Sequence, residues 1–241
     1  MTREPLGAVR WPVSALIGIA LLVLTFTIGG AFIAFGGLLD GAGEDVLPLL
    51  QTAVLALQYA LPISVVALLA RARKTRFPEA VLLRRFSLAQ GIGLGIGVAV
   101  TARFVNAIYS VIVVMLGVDP SATTDVTKLF PDTAIGAFAI VALAVVIAPL
   151  AEEIVFRGFL FPGLRDRFSP VAAAVVSSMV FAIYHADVLV FVPIFLLGLM
   201  LAWVTEMTRS IWPAIIGHAV FNATAVVLLY LLRLLPGLTA S

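Results

Sequence analysis

Two adjacent carboxylates, Glu152 and Glu153, sit in the stretch APLAEEIVFRG, with Arg157 four residues beyond Glu153. Residues 134–150, just upstream, carry no charge. Ionisable groups inside a membrane-spanning pattern are costly, and by default they mark a functional site. The plainer reading is a helix end at the membrane surface with solvated charges. Helical spacing separates the three residues. Glu153 and Arg157 stand at i and i+4 with Glu first, the favourable order for an ion pair. Glu152 lies about 100° around the helix and faces elsewhere. The expected division is a structural Glu153–Arg157 pair and a Glu152 left free for acid–base chemistry, where burial and a neighbouring Arg act on a carboxylate in opposite senses. The only two histidines, His185 and His218, also lie in apolar surroundings, FAIYHAD and GHAVFNA. Taken singly, each is more often a satisfied core histidine than a functional one. Asn222 follows His218 by four residues and shares its helical face.

The elements that must position these residues are membrane helices. The chain has 241 residues, 62% hydrophobic and 12% charged, against about 45–50% and about 25% in soluble domains. An all-α, polytopic membrane protein is expected, with about seven helices in one bundle and a single transmembrane domain over residues 1–241. Spans are expected near Val13–Phe35, Val46–Ala70, Leu88–Leu116, Thr133 onward through the glutamates, Pro170–Ala186, Val188–Thr205 and Pro213–Leu232. The first apolar run exceeds the about 7–15 residues of a signal peptide and reads as a retained span. Pro62 and Pro149 are expected to kink their helices. Pro162 and Gly163 should weaken the helix between Arg157 and Phe168.

Charge fixes the expected orientation. The N-terminus, residues 71–86, 157–167 and 206–210 hold 12 of the 15 Lys/Arg, which puts these segments and the N-terminus in the cytoplasm and the C-terminus outside. The loop Gly117–Asp132 is acidic. Gly91, Gly93, Gly95 and Gly97 form two overlapping GxxxG patterns suited to close helix packing. Ile96 stands where a dinucleotide loop needs glycine, so nucleotide binding is excluded. Nothing suggests nucleic acid as a partner. The absence of cysteine excludes thiol chemistry and disulfides. Arg103, inside the third span, is expected either to pair with a buried carboxylate such as Glu153 or Glu206 or to reach for the membrane surface.

An antiparallel hairpin turning near Arg167 places Glu152 and His185 at about 22 and about 27 Å from the turn, similar depths. A second hairpin near Ser210 brings His218 and Asn222 to about 12 and about 18 Å from its own turn. A base, a second polar group and an amide donor can therefore converge, the parts of a hydrolytic site.

Three motifs then point to one family. EExxxR is met by Glu152, Glu153 and Arg157, FxxxH by Phe181 and His185, and HxxxN by His218 and Asn222. Over residues 147–223 the chain resembles the CAAX-protease and bacteriocin-processing (CPBP) family of intramembrane proteases, which includes the Ras-converting CAAX endopeptidases. The resemblance implies peptide-bond hydrolysis within the bilayer. It implies that Glu152 activates water, that His185 helps hold it, and that His218 and Asn222 stabilise the oxyanion. Glu153, Arg157 and Phe181 would support the site. No metal is the favoured reading. A zinc alternative would use Glu152, His185 and His218 plus water, although HExxH is absent. The expected partner is a peptide or lipidated protein substrate within the membrane, and the expected location is a bacterial plasma membrane. The alternative function is a non-catalytic membrane partner, such as a bacteriocin-immunity protein or a sensor-regulator scaffold; a small transporter is a third.

Overall fold

The computed structural model describes residues 6–13, 15–17, 46–119 and 133–234. Among them every regular element is a helix. These are α1 (Leu47–Ala72), the short α2 (Phe77–Ala80), α3 (Leu88–Met115), α4 (Ala134–Arg165), α5 (Pro170–Tyr184), α6 (Val188–Thr208) and α7 (Trp212–Leu234). Five helical stretches, within α1, α3, α4, α6 and α7, are long and apolar enough to cross a membrane. The protein is an integral membrane protein built from helices. The expected first span and acidic 117–132 loop lie largely outside the described residues, as does the C-terminus. The expected fifth span is α5, at 15 residues shorter than the about 20 residues needed for a full crossing. The described residues give five long helices and one shorter apolar one, and they leave the count of seven unconfirmed.

α4 corrects the expectation of a helix weakened after Arg157. It runs unbroken to Arg165 and alternates in hydrogen-bond pattern, with π-helical turns at Val141–Ile147 and Ile154–Leu160. Each π turn is followed at once by a proline in the first positions of the next α segment, Pro149 after the first and Pro162 after the second. A proline in a regular α-helix loses one hydrogen bond and clashes with the carbonyl four residues back. The wider π turn takes up that misfit, so the helix passes both prolines instead of ending. Local capping sets the other starts. Thr133 accepts from the Gly136 amide (3.1 Å) and opens α4. Ser169 accepts from Ala172 (3.2 Å) and opens α5. Asp187 accepts from Leu189 (2.9 Å) and opens α6, each satisfying an orphan donor of the first turn.

The main core forms around the end of α4. Phe156, Phe159 and Phe161 are buried there with Trp11, Val81 and Leu82, and Trp11 lies against Phe159 with ring centroids 4.7 Å apart. Packing elsewhere depends on missing side chains. α3 meets α7 at Gly95 and Gly217, where a Cβ on Gly95 would stand 3.0 Å from the Gly217 amide nitrogen. Gly93 and Gly97, the other GxxxG pair, have no such neighbour. Gly91 faces Phe86 instead, so of the four glycines only Gly95 serves this contact.

The segment 71–86, read from sequence as a basic cytoplasmic segment, is also built into the protein. Val81 and Leu82 are fully buried. Leu82 has φ 59° and its carbonyl accepts from the Ile211 amide (3.1 Å). Ser210 Oγ donates to the Arg84 carbonyl (3.0 Å).

Candidate functional site

α4 carries Glu152 and Glu153 in the short α segment between its two π turns. Both are buried, and so are Arg157 and His218. Burying charge is costly unless each group is paired, and the pairing here is dense. Glu153 Oε1 accepts from Arg157 (3.0 Å) and from His218 Nδ1 (2.9 Å). A second Arg157 nitrogen donates to the Gly198 carbonyl of α6 (3.2 Å), and the guanidinium lies 4.2 Å from the Phe181 ring centroid. α6 comes this close to α5 because residue 198 is glycine. A Cβ there would stand 2.9 Å from Ser178 Cβ. The expected Glu153–Arg157 pair is thus present, and it also carries His218.

Glu152 points the other way, as the 100° offset requires. Its Oε1 accepts from the Tyr59 hydroxyl of α1 (2.9 Å). Its Oε2 stands 3.9 Å from His218 Nε2, beyond hydrogen-bond reach, and has no protein partner. His218 therefore spans both glutamates, one ring nitrogen toward each.

His185 and Phe181 join them from α5. His185 Nδ1 lies 2.8 Å from the Phe181 carbonyl. A carbonyl only accepts, so Nδ1 carries the proton and a neutral His185 keeps Nε2 as an acceptor. Phe181 stands edge-on between the two imidazoles, its centroid 4.8 Å from His185 and 5.7 Å from His218. Asn222 shares the α7 face with His218, but its Nδ2 donates to the Ala144 carbonyl (2.8 Å). That carbonyl belongs to the first π turn, eight residues before Glu152.

Arg103 pairs with neither carboxylate considered for it. It donates to Thr224 Oγ1 (3.1 Å) and to the Phe221 carbonyl and lies over the Phe221 ring (4.0 Å). Glu206 is taken by Arg165 in a forked contact, 3.0 to 3.2 Å, and Glu153 by Arg157. With those acids engaged, Arg103 finds carbonyl, hydroxyl and aromatic partners on α7.

The zinc set considered from sequence, Glu152, His185 and His218, does not come together as a cage. Among the described residues no group of three or more His, Cys, Asp or Glu stands close enough to hold a metal ion. His218 bonds through Nδ1 to Glu153 and His185 through Nδ1 to a backbone carbonyl, and each keeps its Nε2.

Sequence reasoning missed two residues at this site, Gln58 and Tyr59 on α1. Their signal was weak: two neutral polar side chains in the apolar run LALQYALPI. They border, with Ala151, Glu152, Val155 and Tyr184, a cavity of about 20 Å³.

Comparison with known proteins bears on the same part of the chain. Residues 134–224 match the family model described as type II CAAX prenyl endopeptidase Rce1-like. A putative membrane peptidase, YdiL, of Bacillus subtilis is 30% identical over 83 residues, 34% of this chain and 34% of that protein. The match thus spans about a third of the length of that relative. No solved structure matches.

Proposed function

From the Rce1-like domain that this chain carries over residues 134–224, we propose that it is an intramembrane endopeptidase of the CPBP type, with Glu152 as the base that activates water. The observation that carries the reading is Glu152 Oε2: buried, without a protein partner, and facing the imidazole of His218. A carboxylate in such a place can take a proton from water. The water oxygen then bonds to the carbonyl carbon of the scissile peptide. As the C–N bond breaks, the proton passes from Glu152 to the departing amine. His185 helps hold the water. His218, as imidazolium, and the second amide hydrogen of Asn222 donate to the oxygen that becomes negative, the usual role of such donors. Glu153 and Arg157 fix the imidazole, and Phe181 separates the two histidines. The substrate is a peptide or lipidated protein held in the membrane, and the setting is a bacterial plasma membrane with the basic segments on the cytoplasmic side. No step is assigned to a metal.

The test is cleavage of a membrane-peptide library by purified protein, read by mass spectrometry before and after exhaustive dialysis against a strong chelator. Specific cuts that persist after dialysis are expected. Stoichiometric zinc, with activity lost on removal and restored on addition, contradicts the glutamate-only mechanism. No cleavage of any peptide by folded protein favours a non-catalytic partner.

A further inference from the structure

α1 lies outside the residues that match the family model, yet it supplies a hydrogen bond to Glu152. Three observations meet there. The Tyr59 hydroxyl holds Glu152 Oε1 at 2.9 Å. Gln58 Oε1 is buried and has no protein partner. Between Gln58, Tyr59 and Glu152 lies the cavity of about 20 Å³, roughly the room of one water molecule. Buried polar groups are nearly always hydrogen-bonded, to protein or to ordered water. A water here has the Glu152 carboxylate, an amide oxygen and the tyrosine hydroxyls as candidate partners, enough to hold it.

We propose that this cavity seats the water consumed in the reaction, that Gln58 binds it, and that Tyr59 is a positioning residue for Glu152. This rests on the reading of Glu152 as the base. The water donates one hydrogen to Glu152 and the other to Gln58 Oε1, which leaves an oxygen lone pair for the peptide carbonyl carbon. On attack, the proton toward Glu152 is transferred to it, the C–O bond forms, and the one toward Gln58 stays on the new acid. Tyr59 acts through the carboxylate: its hydrogen bond fixes the carboxylate rotamer. Neither residue touches the substrate, so both act on turnover and not on substrate binding.

The test uses full-length protein in the cleavage assay, with Glu152→Gln as the reference. Tyr59→Phe removes only a hydroxyl. Gln58→Met keeps length and removes the acceptor. Val155→Leu adds one methylene at the cavity wall and changes no polar group. Each should lower kcat by about 10- to 100-fold, the scale of a misplaced reacting group, with KM and Tm near wild type. The infrared carboxyl band of Glu152, assigned by difference from Glu152→Gln, should shift in Tyr59→Phe and Gln58→Met, a readout that needs no turnover. Wild-type kcat in Tyr59→Phe and Gln58→Met, or an unmoved band in both, overturns the proposal while an inactive Glu152→Gln leaves the base in place. An active Glu152→Gln overturns the base, and the water seat with it.

Discussion

Glu153 holds two partners on one oxygen, Arg157 at 3.0 Å and His218 at 2.9 Å, and its removal should therefore be felt twice. Glu153→Gln leaves a buried guanidinium without its counter-charge. Breaking such a pair costs about 3–5 kcal/mol, so a Tm well below wild type is expected in thermal unfolding. Glu152→Gln leaves the Glu153–Arg157 pair intact and should unfold near the wild-type temperature. Equal Tm values in the two variants would contradict this division of labour. Asn222 is the second residue-scale case. Its Nδ2 already holds the Ala144 carbonyl, so loss of the amide has a structural and a chemical consequence. Asn222→Ala should lower kcat by about 10²–10³ through the lost oxyanion donor and lower stability by about 0.5–1.5 kcal/mol through the lost carbonyl bond. A fall in Tm with unchanged kcat would make Asn222 a brace for the first π turn and nothing more.

At the scale of elements, α4 is organised by where it lacks side chains and where its hydrogen bonding widens. Gly158 lies in the second π turn, and a Cβ there would stand 2.7 Å from the Val81 carbonyl. Backbone cannot yield as a flexible side chain does. Gly158→Ala should therefore cost about 1–3 kcal/mol, read as a lowered Tm; wild-type stability would show that the 81–84 segment is free to move off α4. What the sequence made legible here, and what it did not, follows from the same physics. Glu152, Glu153, Arg157 and His218 stand out because ionisable groups are rare in apolar spans, and helical spacing sorted their directions correctly. The π turns left no trace, because a run such as VALAVVI is apolar on every face and carries no period to read. Pro149 and Pro162 were visible but pointed to a kink and a weakened helix, since the turn that absorbs them is set by the whole packed helix. Gln58 and Tyr59 escaped notice because their meaning depends on Glu152, 93 residues away from Tyr59.

For the whole molecule, the basic segments gather at one end of the bundle. Arg167 donates to the Trp11 carbonyl (2.5 Å), Ser210 reaches the Arg84 carbonyl, and Arg165 pairs with Glu206. The charge count that assigned these segments to one side of the membrane thus agrees with their contacts. A cysteine at Thr75 should resist a membrane-impermeant label applied to intact cells, whereas one at Val118, beyond the opposite end of α3, should react. The reverse pattern would invert the protein and the side from which its substrate arrives. Hydropathy made the helical class legible, but α5 stops at Tyr184, two residues before the expected end of its span and short of a full crossing.

The central claim, that Glu152 takes the proton of the attacking water, is tested most directly by turnover of purified Glu152→Gln on a peptide that the wild type cuts. Glutamine keeps the size of the side chain and removes the proton acceptor. The account predicts that cleavage is abolished while Tm and substrate KD stay near wild type. Near-normal kcat in that variant would contradict it.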